Sequence, residues 1–188
     1  EAILSTEQEL PERTRRYITE IDKEADRLRR LANTLLNLAS LERQPHHPPT
    51  ASVDIVPLLW EVVQSFQMAA QQSDLTLLAQ IPEQMPPLAL WPDHLVVIMN
   101  NLLDNALKYT PTGGQIRLIV ETTPAFCTLQ VQNNGNDIPA EELSHIFERF
   151  YRVDKARSRQ AATSSGSGVG LGLAIVKSLV EVNGGKIE

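Results

Sequence analysis

The sequence predicts an α+β fold, a sheet layered with helices, preceded by one long helix of a helical hairpin. Three observations carry this. Apolar residues over 13–43 recur three and four apart, residues beyond 53 alternate between helix-period and strand-period runs, and Pro45, Pro48 and Pro49 separate the two regions. A helix pattern followed by strands with helices between them is the signature of a layered α+β domain.

In the first region Ile18, Ile21, Ala25, Leu28, Ala32, Leu35 and Ala39 form a heptad seam. Leu31, Leu36, Leu38 and Leu41 widen it, which suits a multi-helix bundle better than a two-stranded coil. Glu1–Leu4 is expected to end a preceding helix, with Ser5–Pro11 as the connection. The prolines then stop the long helix, because they lack an amide donor and restrict the residue before them. The expected organisation is a partial hairpin at 1–44, a linker at 45–52 and a second domain at 53–188. His46 and His47, beside three prolines and without a Cys or carboxylate partner, read as linker.

The second domain is expected to open with a helix over Ile55–Gln72, capped by Asp54 and with Pro57 in its first turn. Leu75–Ile81 and Leu88–Trp91 read as strands. A helix follows, opened by His94 and ended by Thr110-Pro111. Beyond a turn at Thr112-Gly113-Gly114, Gln115–Glu121 and Phe126–Gln132 read as an antiparallel hairpin. Asn133–Pro139 is an irregular loop, and Ala140–Phe150 is expected to be a helix with Leu143, Ile146, Phe147 and Phe150 on one face. Arg157–Ser167 is polar and small, Val169–Val182 is the last helix, and Gly184–Glu188 reads as the start of a strand.

The chain has 188 residues, a formal charge of −6 and one cysteine. The acidic balance argues against a generic nucleic-acid surface. A single cysteine excludes a disulfide framework and a Cys-based zinc site. Cys127 alternates with Leu129 and Val131, so it reads as a core residue of a strand. No apolar run approaches the roughly 20 residues of a membrane span. The first residue is not methionine, and the chain reads as a piece excised from a longer protein.

Two stretches carry chemistry. Asn101, Asn105 and Lys108 share one face of their helix, opposite an apolar stripe of Leu95, Ile98, Met99, Leu102, Leu103 and Ala106. Two amide oxygens and a cation on one face suit a Mg²⁺ ion carrying a phosphate chain. Further on, Gly166-Ser167-Gly168-Val169-Gly170-Leu171-Gly172-Leu173 runs directly into an amphipathic helix. Glycines there let backbone N–H groups approach an anion at a positive helix end. No Lys-Ser or Lys-Thr follows the glycines and no strand precedes them, so neither a Walker loop nor a dinucleotide fingerprint fits.

Together these segments resemble the catalytic region of a sensor histidine kinase of two-component systems. Asn101–Pro111 is similar to the family's asparagine box and Asn133–Pro139 to its first glycine box. Ile146–Asp154 is similar to the phenylalanine box and Gly168–Val176 to the second glycine box. The long helix with its Leu41-Glu42-Arg43 ending resembles the second helix of the dimerisation and phosphotransfer hairpin. The resemblance covers essentially the whole chain. It implies a two-layer α/β sandwich of the histidine-kinase ATPase type.

The roles that follow are what the resemblance implies. Asn105, helped by Asn101, would coordinate Mg²⁺. Lys108 would contact phosphate and Tyr109 would pack on adenine. Asn133, Gly135 and Ile138 would line the nucleotide, Arg152 would contact phosphate, and Arg157 would help from a lid over Arg157–Ser167. The backbone of Gly168, Val169, Gly170, Leu171, Gly172 and Leu173 would wrap the phosphates of ATP. The chain departs from the family at Asn133, where an aspartate normally accepts the adenine amino proton. Losing that charge is expected to weaken ATP binding several-fold, about 1 kcal/mol. Asp137 replaces a glycine, and Val169 stands where a small hydroxyl residue is common.

None of His46, His47, His94 or His145 has the family's His-Glu setting. The phosphoacceptor is therefore expected upstream of Glu1, facing Asn33–Asn37. The implied partners are ATP, a response regulator and a second copy joined through the hairpin, in the cytoplasm. No nucleic acid and no membrane contact by these residues is expected. The alternative is a catalytically degenerate nucleotide-binding or dimerisation module that regulates a signalling partner, for which Asn133 and Asp137 speak.

Overall fold

Helix α2 (Val56–Gln72) starts where the sequence sets it: Pro57 stands in its first turn, and the Val56 N–H donates to Asp54 Oδ1 at 3.0 Å. The computed structural model describes residues 13–22, 25, 52–123, 125–135, 137–153 and 170–188. Residues 13–22 are helical and form α1. The rest of the expected long helix, Asn33–Asn37, the proline linker with His46 and His47, Arg157, Gly168 and Val169 lie outside the described residues.

The sheet is mixed rather than dominated by antiparallel pairs. Strand β2 (Thr76–Gln80) runs parallel to β4 (Gln115–Thr122), which pairs antiparallel with β5 (Cys127–Asn133). The sequence led to the hairpin but not to the parallel pair. Helix α3 (Pro92–Tyr109), lying between β2 and β4 in the chain, is the crossover that a parallel pair requires. A separate two-stranded ribbon joins β1 (Ser52–Val53) to β3 (Leu88–Ala89), so the first strand begins inside the span expected to be linker.

One face of the sheet is covered. Leu77, Ile116, Leu118 and Val120 point into a core shared with Ile55, Leu59, Val62 and Val63 of α2 and with Leu95, Met99, Leu103 and Ala106 of α3. On the other face Leu78 and Arg117, opposite each other in register, are exposed. This one-sided alternation is what a two-layer sandwich demands. Cys127 is half-buried against the same core, and burial pushes its thiol above the usual range.

The apolar stripe expected on α3 is in fact two. Ile98, with Val97 and Leu102, turns away from the sheet and packs on Leu171, Ile175, Val176 and Leu179 of α4 (Gly172–Val182). Polar bonds fasten the far end of this helix pair. The Trp91 N–H donates to Asn183 Oδ1 at 2.9 Å, and the Asn183 amide donates to the Leu179 carbonyl at 2.7 Å. Asn183 Nδ2 also lies 3.0 Å from Nδ1 of the buried His94. With Oδ1 committed to Trp91, the amide nitrogen is the donor, so Nδ1 accepts and His94 carries its proton on Nε2.

Burial holds the His94 pKa below its ordinary value, against a smaller opposing pull from Asp93. The unfolded chain therefore binds the proton more readily than the folded one. The His94 contribution to stability is expected to be complete above about pH 6.5 and to be lost as pH falls from there toward the folded-state value. Urea unfolding at stepped pH checks this: His94→Gln should flatten that part of the profile.

Two further sequence expectations fail. Residues 140–150 are not an α-helix. Their backbone donates mostly across three residues, as in Glu142 to Pro139, His145 to Glu142 and Glu148 to His145. Such tight turns do not stack residues four apart into a face. Leu143 and Phe150 are accordingly 49% and 61% exposed. Residues 185–188 form no strand; Ile187 instead packs beside the α3–α4 cluster.

Candidate functional site

Helix α3 offers a third, polar stripe between its two apolar faces. Pro92 and Asp93 begin the helix and Lys108 lies in its last turn, an order that suits the helix dipole. Asn101 is half-buried, and its Nδ2 donates to the Val97 carbonyl at 2.8 Å. That bond fixes the amide and turns Oδ1 toward α4. A Cβ placed on Gly172 would stand 2.9 Å from Asn101 Oδ1. A side chain at 172 would therefore displace the Asn101 amide from this position.

Asn105, one turn further, is half-buried on the same stripe. Among the described residues no group of three or more His, Cys, Asp or Glu side chains is placed to hold a metal ion. The oxygen donors that this face presents are the two amides. They suit a hard cation such as Mg²⁺, which takes few protein oxygens and fills its remaining positions with water and phosphate.

The glycine turn opposite is built with care. Gly170 has φ of 77°, in the left-handed region, and its carbonyl accepts from the Phe150 N–H at 2.8 Å. A Cβ there would stand 2.7 Å from the Tyr151 carbonyl oxygen. Phe150 is itself left-handed, with φ of 65°. This is unusual for a bulky residue and marks a locally strained clasp. Leu171 is buried in the α4 cluster and anchors the turn; α4 starts at Gly172 rather than at the expected Val169, because the left-handed Gly170 keeps the backbone out of the helix. Among the described residues no side chain caps α4, and its first turn holds no acidic residue, so its positive dipole end is open to an anion, with Gly172 lying against Asn101.

A third wall comes from the loop after β5. Asn133 ends β5 opposite Ile116 and is exposed. Gly135 is pressed on the Tyr109 carbonyl, and a Cβ there would also stand 2.6 Å from Asn133 Nδ2. This contact places the first glycine segment at the C-terminal end of α3. Asn134, which the sequence reading passed over, braces the loop: its Oδ1 accepts from the Gln115 N–H at 2.6 Å. An Asn-Gly pair directly after a strand was the available signal.

The remaining candidates are less tightly gathered. Lys108 Nζ lies 4.8 Å from the Tyr109 ring centroid, and both side chains are exposed. The Lys108 ammonium thus partners the ring rather than the glycine turn in this state. Ile138 is 43% exposed, Arg152 and Leu173 are half-buried, and Asp137 is exposed.

A family profile described as "Histidine kinase-, DNA gyrase B-, and HSP90-like ATPase" matches residues 92–188, from the first residue of α3 to the end of the chain. The chain belongs to this ATPase family. Among relatives, the sensor protein kinase WalK of Staphylococcus epidermidis is 31% identical over 174 residues, covering 91% of this chain and 27% of that protein. The sensor histidine kinase WalK of Bacillus subtilis is 29% identical over 175 residues, covering 92% of this chain and 28% of that one. The chain spans little more than a quarter of the length of these relatives.

Among solved structures, full-length ShkA in complex with AMPPNP is 26% identical, with a TM-score of 0.73 over 94% of this chain and 35% of that one. The histidine kinase ThkA in complex with its response regulator TrrA is 19% identical, with a TM-score of 0.68 over 97% of this chain and 49% of that one, and adds likeness of fold. Within the ATPase family the chain is thus of the two-component sensor histidine kinase type, with the α+β fold of their catalytic domains.

Proposed function

We propose that this chain is the ATP-binding catalytic region of a two-component sensor histidine kinase. It binds Mg-ATP between the Asn101–Asn105 face of α3 and the glycine turn that opens α4. The γ-phosphoryl group passes to a histidine outside these 188 residues, and from there to an aspartate of a response regulator. The observation that carries this reading is Asn101 Oδ1 set against Gly172 at the start of α4, which no described side chain caps.

Each part of the chain has a task in that reading. Asn105 and Asn101 hold Mg²⁺ through amide oxygens, and the ion offsets charge on the phosphate chain. The first N–H groups of α4, with Gly170, Leu171, Gly172 and Leu173, cradle the phosphates. Gly168, Val169 and Arg157, outside the described residues, are assigned phosphate contact as well, and Arg152 adds positive charge. Asn133, Gly135 and Ile138 border the base, and Lys108 and Tyr109 close the rim at the end of α3. Phosphoryl transfer needs chiefly positioning and charge neutralisation, which such a site supplies. Neither described histidine lies in the candidate site: His94 is buried against Asn183, and His145 Nδ1 lies 2.7 Å from Glu148 Oε1 outside the helices that form the site. This supports an acceptor histidine elsewhere. Dimerisation through the helical hairpin and a cytoplasmic setting belong to the same proposal.

Titration of Mg-AMPPNP into the chain tests the reading. Saturable binding below millimolar concentration is expected. Its absence would favour the catalytically degenerate regulatory module that Asn133 and Asp137 suggest. Asn133→Asp restores a carboxylate at the end of β5 and is expected to tighten binding several-fold, by about 1 kcal/mol, in the same calorimetric titration.

A further inference from the structure

The antiparallel pair α3–α4 is fixed at two places. One is the Asn101–Gly172 approach at the candidate site. The other is the Asn183 amide at the opposite end of α4, which holds Trp91, Leu179 and His94. Between them the contact is aliphatic: Ile98 and Leu102 against Leu171, Ile175, Val176 and Leu179. Apolar packing is non-directional and tolerates small sliding of one helix along another. The Asn183 bonds are directional. They therefore set how far Gly172 stands along α3, and with it where the first N–H groups of α4 lie relative to Asn101.

We propose that Asn183 is a positioning residue for the nucleotide site, acting through a neutral His94 that accepts a hydrogen bond from its amide. The proposal rests on the functional reading given above for the ligand, but its register claim stands on the helix pair alone. Three of the four hydrogen bonds open to Asn183 are made: Oδ1 on Trp91, and both amide hydrogens on Leu179 and His94. Protonated His94 would present an N–H to the amide nitrogen. Turning the amide over would then give the Trp91 N–H another donor and the Leu179 carbonyl another acceptor. Neither arrangement keeps all three bonds.

Among the described groups near the ring, Asp93 on α3 is the charged one, and it favours protonation; Asn183, which caps α4, and the Trp91 ring, with its centroid 6.2 Å away, are neutral. Acidification is therefore expected to loosen the pin and displace Gly172 from Asn101.

The decisive variant is Asn183→Asp. A carboxylate still accepts from Trp91, but it prefers a protonated His94 and cannot donate to Leu179. The sense of the pH response should reverse. The experiment follows, by NMR on the whole chain, the His94 ring, the Gly172 amide and the Asn101 side-chain NH₂ between pH 5 and 8. The wild-type His94 midpoint is expected below that of Asn183→Asp, with the Gly172 and Asn101 resonances moving at the His94 midpoint in both. In parallel, the ratio of wild-type to variant affinity for Mg-AMPPNP should fall severalfold from pH 8 to pH 5.5, in the direction that linkage to His94 protonation requires. The nucleotide's own titration is common to both chains and cancels in that ratio.

Gly172 and Asn101 resonances that stay still while His94 titrates would overturn the proposal. So would identical His94 midpoints in the two chains. If Asn183→Asp does not fold, the wild-type titration alone decides on the same criterion. If no nucleotide binds at any pH, the functional reading fails, and the resonances still decide whether Asn183 sets the register.

Discussion

Gly170→Ala is expected to destabilise the domain by about 3 kcal/mol and to weaken nucleotide binding with it. Two independent penalties meet at this residue. An alanine held at φ of 77° carries a left-handed backbone that disfavours L side chains by roughly 1–2 kcal/mol. Its Cβ would also stand 2.7 Å from the Tyr151 carbonyl and 2.9 Å from the Phe150 carbonyl carbon, both backbone atoms that cannot rotate away. Relieving that overlap costs about 1–3 kcal/mol. It also loosens the bond from the Phe150 N–H to the Gly170 carbonyl.

Gly113 supplies the control. It has φ of 79° with nothing near its missing Cβ, so Gly113→Ala should show the backbone penalty alone. Urea unfolding of both variants separates the two effects. Equal destabilisation would mean that the clasp between Phe150 and Gly170 contributes nothing.

Much of this arrangement was legible in the sequence, and the failures are physically specific. Two periodic segments, α2 and α3, came out as helices. The apolar spacing of α2 and α3, the Asp54 and Pro57 start signals and the β4–β5 hairpin all reappear in the structure. These features are local, and local pattern encodes them. Residues 140–150 misled because Leu143, Ile146, Phe147 and Phe150 have helical spacing, whereas the backbone takes tight turns that end in a left-handed Phe150. Apolar spacing does not distinguish three-residue from four-residue bonding.

The site residues divide in the same way. Asn101 and Gly172, 71 positions apart, were both singled out, but their contact is tertiary and no periodicity announces it. Asn183 was not singled out at all. Its importance comes from bonds to residues about 90 positions earlier, which a single sequence does not reveal.

Asn105→Ala carries the second large effect, this time on binding rather than folding. Asn105 is half-buried on a polar stripe and takes no part in either apolar cluster, so truncation should change stability by less than about 0.5 kcal/mol. As a ligand of Mg²⁺ it should matter far more. Losing even a supporting partner weakens metal sites by about 10- to 100-fold, and a direct oxygen ligand is expected at the upper end. The loss should depend on the ion: with Mg²⁺ removed, wild type and variant should bind nucleotide equally weakly.

The most direct measurement is therefore a calorimetric titration of AMPPNP into wild type and Asn105→Ala, each with Mg²⁺ and with excess EDTA. Tight binding by wild type in Mg²⁺ is predicted, with the other three combinations roughly 100-fold weaker and alike. Failure of wild type to bind in Mg²⁺, or an equal loss from Asn105→Ala with and without the ion, would contradict the account.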